Sequence, residues 1–306
     1  MIVIEKFHPD NGYGEDPLLY LNLKRFENET NDFYLFLGDA YDEIFLEKYE
    51  DKPRYFLSLE EPNFCMQKDS WHEHLTVGFK NKKPPEKIFT ICPYTIESLK
   101  NINNNRFLTF FPFNENYIFN NEKEYDIIYT GSNPPINFWN DIFLEIKKRK
   151  LKYCYSYYSN SEHTTHHSIS YKEKMTLYSK SKISICHGLF NAWGGLKHLE
   201  FINSDTNKAF SEIKKGINIG PQVKSRTFES AFSKTLILLY KDNWNVTELF
   251  FTPNKDFLYF SSLEELFEII DDFKANENNY NSIINSAYEK AINNYTTKHF
   301  INKINE

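Results

Sequence analysis

Short apolar runs alternate along the chain with longer stretches whose apolar residues recur every three or four positions. The runs over 1–4, 33–37, 54–59, 87–91 and 106–110 are too short for helices and rich in β-branched and aromatic side chains, so they predict strands. Between them, 40–49 and 94–101 predict helices. A polar, Asn-rich stretch over 114–124 reads as a crossover. The alternation restarts at Tyr125, with strands over 125–131, 151–155, 182–186, 235–240 and 257–260. Helices are predicted over 137–149, 171–179, 223–233, 263–274 and 280–293. Ser261 and Ser262 precede Glu264 and Glu265 as two overlapping capping boxes at the start of one of these. Residues 189–215 read as an irregular insertion with a short helix near its end. This pattern is that of an α/β protein with largely parallel sheets, built as two successive Rossmann-like units.

Composition narrows the picture. A length of 306 residues favours two domains, and the restart places them at 1–120 and 121–306. There are 36 basic and 42 acidic residues, a net charge of −6, which argues against a nucleic-acid binder. The 28 Phe and 21 Tyr against 10 Gly read as coding bias rather than as a binding surface. Cys65, Cys92, Cys154 and Cys186 are widely spaced without a C-x-x-C, so they read as buried thiols in a reducing compartment. No apolar stretch approaches the ~18 residues of a membrane span. Met1-Ile-Val-Ile-Glu-Lys lacks the longer apolar region of a signal peptide, so the expected location is the cytoplasm.

Candidate chemistry concentrates in Gly216-Ile-Asn-Ile-Gly220-Pro-Gln-Val-Lys224-Ser-Arg226-Thr-Phe-Glu229, read as a Gly-Pro turn opening a helix. Two cations and backbone N–H groups there can hold a diphosphate, and a carboxylate can accept from ribose hydroxyls. The same spacing permits a plainer reading. Arg226 and Glu229 stand three apart and can simply pair on the helix surface. His187 follows a strand directly and faces the expected ligand side. The clusters Trp71-His-Glu-His74 and His163-Thr-Thr-His-His167 lack the spacing that sets two imidazoles on one helical face, so they read as exposed loop histidines.

From Tyr125 onward the chain resembles the nucleotide-sugar-binding half of GT-B glycosyltransferases, nearest the CgeB-like and glycosyl transferases group 1-like members. The resemblance rests on Lys-Ser-Arg-Thr-Phe-Glu-Ser-Ala-Phe-Ser-Lys-Thr-Leu-Ile-Leu over 224–238, followed by Val-Thr-Glu-Leu-Phe over 246–250. It continues with Asp256-Phe-Leu-Tyr-Phe, the Ser-Leu-Glu-Glu-Leu helix start at 262–266, and Asn294-Tyr-Thr-Thr-Lys-His-Phe300. It implies two Rossmann-like domains facing a central cleft, an acceptor side and a donor side. It also implies transfer of a sugar from a nucleotide-sugar to a glycan, lipid-linked glycan or other hydroxyl acceptor.

Within it, Glu229 matches the ribose carboxylate, and Lys224 and Arg226 match the basic residues near the donor phosphates. Gly131, Ser132 and His187 fall at the cleft turns. Glu248 matches a glutamate that is more often structural than catalytic. Pro221 stands where the broader pattern has a second glutamate, a departure from the retaining-enzyme pattern. The chain has no D-x-D triplet, so neither metal nor cofactor is expected. An inverting enzyme needs a general base from the N-terminal domain. The candidates at strand ends are Asp39, Glu60, Glu61 and His8. Two other readings stay open: a non-catalytic glycan-assembly or coat protein that keeps the fold, and a fucosyltransferase-like enzyme. Peripheral membrane association is compatible with either, and a nicotinamide enzyme is disfavoured because no G-x-G-x-x-G follows a strand.

Overall fold

The computed structural model describes residues 1–4, 23–27, 32–37, 49, 51–59, 85–93, 96, 105–157, 162–191 and 219–305. The chain divides into two units, each discontinuous in sequence. One comprises Met1–His8, Leu21–Phe111 and Phe190–Val223; the other comprises Pro9–Tyr20, Pro112–Leu189 and Lys224–Glu306. The predicted helices over 40–49 and 94–101 fall outside the described residues, apart from Tyr49 and Ile96. So does most of the 189–215 insertion.

The first unit carries five parallel strands, β1 (Ile2–Ile4), β2 (Tyr34–Leu37), β3 (Arg54–Ser58), β4 (Lys87–Thr90) and β5 (Arg106–Leu108), each paired with the next in sequence. Leu35, Phe36, Phe56, Leu57, Ile88 and Phe89 are almost wholly buried, on both faces of the sheet. Burial on both faces is why these strands read as unbroken apolar runs rather than alternating ones.

The second unit is built on a six-stranded parallel sheet. Its strands are β6 (Tyr125–Thr130), β7 (Tyr153–Tyr157), β8 (His166–His167) and β9 (Ser181–His187), then, beyond a pair described below, β12 (Leu236–Tyr240) and β13 (Leu258–Phe260). Their spatial order is β13-β12-β9-β6-β7-β8, so the order reverses between β6 and β9. Helices α1 (Trp139–Lys148) and, later in the chain, α4 (Leu263–Ala275) cover one face, burying Trp139, Phe143, Phe267 and Ile270 against Ile127, Tyr129, Ile183 and Leu238. Helices α2 (Tyr171–Ser179), α3 (Ser225–Phe232) and α5 (Asn281–Asn294) cover the other. A final helix, α6 (Thr297–Asn305), is the family-like ending seen in sequence.

Most expected elements occur with shifted ends, and each shift has a local cause. The 151–155 strand starts at Tyr153 because Lys150 adopts a left-handed turn at φ +55° after α1. Ile219-Gly220-Pro221 is not a turn opening a helix. It is a short strand, β11, paired with β10 (Leu189–Asn191), and α3 begins four residues after Pro221. Of the two overlapping boxes, Ser262 is the residue that caps α4. Its hydroxyl accepts from Glu265 N, while the Glu265 carboxylate accepts from Ser261 N. The stretch 114–124 is anchored within the second unit rather than left as a free crossover. Asn121 Nδ2 donates to Ser179 Oγ, and Lys123 Nζ donates to the carbonyls of Ser181 and Ser233. The preceding aromatic run ends in Phe113, whose ring stacks on Phe232 at 3.9 Å.

The described thiols, Cys92, Cys154 and Cys186, are buried as expected. The 163–167 histidines are not loop residues throughout. His163 is buried with its ring stacked on Phe143, and His166 and His167 form the edge strand β8. Among the described residues no helix is long and apolar enough to cross a membrane.

Asp256 ties α5 to the loop that precedes β13. Its carboxylate is 1% exposed and accepts from Thr252 N at 2.8 Å, Ser286 Oγ at 2.7 Å and Lys290 Nζ at 3.0 Å. Burial alone would raise its pKa, but these donors hold it below the usual range. A depressed carboxylate pKa stabilises the fold above the unfolded value and loses that contribution as pH falls through the folded one. Asp256→Ala removes the acceptor for three buried or half-buried donors and is expected to cost about 3–5 kcal/mol. Urea denaturation at pH 7 and pH 3 checks this, and the difference between wild type and variant should shrink in acid.

Candidate functional site

In an open parallel sheet, loops on the two sides of an order reversal run in opposite directions and leave a crevice beyond the strand ends. Among the described strands this reversal occurs only between β6 and β9. Register pairs Ile128 with Ser184, which sets Gly131, just past β6, beside His187, the last residue of β9. The first turn of α3 brings Arg226 to the same place.

The Arg226 guanidinium carbon lies 4.7 Å above the Tyr129 ring, and its Nη1 is 2.9 Å from His187 Nε2. Arg226 is 9% exposed and His187 3%. Gly131 has φ +107°, and a Cβ built there would stand 2.4 Å from Arg226 Nη2. Both the backbone conformation and the close approach of the guanidinium therefore require glycine. Asn133 fixes the loop that follows. Its Oδ1 accepts from Tyr155 Oη and from Trp139 Nε1.

The protonation of His187 follows from its partners. Leu189 N–H donates to Nδ1, and Nε2 lies 3.1 Å from Tyr129 Oη, whose own hydroxyl reaches the Ser132 carbonyl. Burial first, and then the positive charges of Arg226 and Lys224, hold the imidazole neutral, well below its usual pKa. A neutral ring has a single lone pair, and two donors converge on it: Leu189 N–H at Nδ1, 3.2 Å, and the donor-only Arg226 Nη1 at Nε2, 2.9 Å. The Tyr129 hydroxyl donates to Ser132 O and lies within hydrogen-bond distance of Nε2. Arg226 therefore meets His187 Nε2 as well as the ring and hydroxyl of Tyr129, and among the described residues no carboxylate lies within ion-pair distance of it.

The helix start adds donors of the same sign. Lys224 is the N-cap of α3; its side chain makes no capping hydrogen bond, and the first turn holds no acidic residue. A lysine has no acceptor to offer, so the leading N–H groups and the helix dipole keep their affinity for an anion. Glu229 lies deeper, 1% exposed, and does not pair with Arg226. Its two oxygens are 2.9 and 2.8 Å from Lys174 Nζ of α2.

The structure thus brings Gly131, His187 and Arg226 together, with Lys224 at the helix start and Ser132 contributing a carbonyl. Glu229 stands behind them, and Glu248 lies apart, its carboxylate accepting from Tyr259 Oη. Asp39, Glu60, Glu61 and His8 lie outside the described residues. Tyr129 and Lys174 were not singled out in sequence. Tyr129 sits inside a motif chosen for its glycine, and nothing local marks Lys174.

Because the His187 pKa is depressed on folding, the unfolded chain binds a proton below about pH 6.5 that the folded chain refuses. Its contribution is intact above that pH and is lost as pH falls toward the folded value. Wild type should therefore lose stability faster than His187→Asn below pH 6.5, by up to about 1.4 kcal/mol per pH unit. Thermal unfolding across pH 5 to 8 on buffers of constant ionic strength checks the slope.

Comparison with known proteins places this geometry. A model of the glycosyl transferase-like family matches residues 130–306. No curated protein sequence matches the chain. Among solved structures, TarM of S. aureus is similar over 89% of this chain and 53% of its own, with 12% identity and a TM-score of 0.54. A glycosyltransferase from Rickettsia africae is similar over 98% of this chain and 82% of its own, with 12% identity and a TM-score of 0.53. HepE of Anabaena, solved with UDP-glucose, is similar over 89% and 77%, with 6% identity and a TM-score of 0.55. The chain spans about half the length of TarM. Likeness at these identities concerns the fold, which is that of the GT-B glycosyltransferases. The family match covers more than half of the chain and takes in Gly131, His187, Arg226 and Glu229, and the protein belongs to the glycosyl transferase-like family.

Proposed function

We propose that the protein transfers a glycosyl group from a nucleoside-diphosphate sugar to a hydroxyl acceptor. The observation that carries this reading is Arg226: a buried guanidinium, without a carboxylate partner among the described residues, at the reversal point of a parallel sheet and the start of a helix. A buried cation is stable only if something of opposite charge meets it. A diphosphate fits in charge and in its fork of acceptor oxygens. Solved relatives of the fold support the ligand class: a TarM variant is described in a complex containing UDP, and HepE with UDP-glucose.

When the glycosidic bond to the diphosphate breaks, negative charge builds on the leaving oxygens. Donors already in place stabilise that charge more in the transition state than in the bound donor. Arg226, Lys224 and the N–H groups of α3 are those donors, and in this reading they take the part that a divalent metal plays elsewhere. Gly131 lets the phosphates approach the backbone. Neutral His187 presents no further charge and anchors Tyr129. Glu229 offers its carboxylate to the ribose hydroxyls. For an inverting reaction the general base comes from Asp39, Glu60, Glu61 or His8; the acceptor is a glycan, lipid-linked glycan or other hydroxyl compound, and the protein works in the cytoplasm, peripherally associated with a membrane where the acceptor demands it.

Pro221, in place of a second glutamate, favours one other reading: a non-catalytic member that keeps the donor site in a glycan-assembly or coat role. Titration of UDP-, GDP-, dTDP- and CMP-sugars separates the two, with hydrolysis and transfer followed in parallel. One nucleotide class is expected to bind. Arg226→Met should weaken it roughly ten- to a hundredfold, the range of a hydrogen bond to a charged group. Turnover should persist in EDTA. Binding without hydrolysis or transfer favours the non-catalytic reading, and a chain that binds no nucleotide sugar refutes both.

A further inference from the structure

Arg226 and Glu229 stand three residues apart on α3, a spacing at which opposite charges meet. Both are nearly buried, where their attraction is least screened. They nevertheless do not pair. Glu229 accepts from Lys174, 55 residues earlier on α2, at Oε1 and holds Oε2 2.8 Å from the same ammonium, while Arg226 turns to the strand ends.

We propose that Lys174 is a positioning residue: by holding the Glu229 carboxylate, it keeps the Arg226 guanidinium unneutralised and available to the anionic part of the substrate. This rests on the donor-site reading above. The charges make the argument. Lys174 and Glu229 sum to zero, so the net positive charge of the three groups resides on Arg226. The alternative pairing, Arg226 with Glu229, would neutralise the strand ends and leave Lys174 as the free cation. Lys174 is 23% exposed and has water within reach, so that arrangement would suit the protein without ligand. The observed pairing instead moves the uncompensated charge to where a ligand meets it. Two features hold Lys174 in place. The start of α2 is fixed by a capping box between Ser170 and Glu173, one residue before Lys174. Its ammonium also lies 5.5 Å from the Tyr171 ring centroid.

An ordinary structural ion pair would change stability when cut and leave anion affinity alone. The positioning role predicts a specific pattern with inorganic pyrophosphate, which carries no ribose and so reports Arg226 independently of any ribose contact by Glu229. Calorimetric titration is made on wild type, Lys174→Met, Lys174→Gln and the double variant Lys174→Met/Glu229→Gln. In Lys174→Met the freed carboxylate turns to Arg226, and pyrophosphate binding should weaken about tenfold or more. The double variant removes that competitor and should return to within roughly threefold of wild type. Lys174→Gln, which can still donate to Glu229, should fall between and serves if Lys174→Met does not fold. In Lys174→Met both kcat and kcat/KM for the donor should fall, because a neutralised Arg226 no longer stabilises the leaving charge in the transition state. Wild-type affinity in a folded Lys174→Met or Lys174→Gln overturns the proposal, as does a double variant as weak as the single one. A wild-type chain that binds neither pyrophosphate nor any nucleoside diphosphate instead overturns the donor-site reading on which it rests.

Discussion

A guanidinium taken out of water without a carboxylate is the constraint that the second unit is arranged around. Desolvating such an ion costs several kcal/mol even after relaxation. The compensation visible in the fold is smaller. A desolvated cation–π contact with Tyr129 is worth about 2 kcal/mol, and the neutral imidazole of His187 contributes no opposite charge. The imbalance explains why the surroundings are so closely specified. Tyr129 must lie flat beneath the cation, which its hydroxyl secures through Ser132 and His187. Position 131 must lack a side chain, because one would occupy the space of the guanidinium. Asn133 must hold the loop, which it does through two aromatic donors of the core.

The two sheets show why the site belongs where it does. Within the described strands of the first unit, each strand lies beside its neighbour in sequence, so successive loops leave the sheet in one direction. In the second unit β6 has β7 on one side and β9 on the other, and the loops after β6 and β9 diverge. Polar groups collect where backbone leaves the sheet and side chains still come from packed elements. Tyr129 and His187 are both anchored in the core face beneath α1, which gives the site rigidity that a loop alone would not supply.

Much of this was legible in the residues, for identifiable reasons. Parallel strands buried on both faces produce continuous apolar runs, so 182–186 could be recognised without any neighbour. Helix α2 begins where expected, directly after Ser170, whose capping box with Glu173 fixes the start, and the serine–glutamate pairs announced α4. Elements of two or three residues, such as β8 and β10, leave no periodicity to read. Gly220-Pro221 resembled a turn because its strand character comes from a partner near residue 190, not from its own composition. The grouping of Gly131, His187 and Arg226 came from family resemblance rather than spacing. The partnership of Glu229 could not be read at all: local geometry offered Arg226, three residues away, and the sheet brought Lys174 instead.

The components of the proposed anion site are separated by long stretches of chain, with Gly131 and His187 joined by the β6–β9 pairing and Arg226 brought in by the packing of α3 on the sheet. No fragment and no partly assembled sheet can present them together, so the capacity to bind appears in the same cooperative step that closes the unit. Occupancy and folding are then linked equilibria. A ligand at a hundred times its dissociation constant would deepen the native basin of this unit by about 2.7 kcal/mol, and its supply would act on the lifetime of the protein.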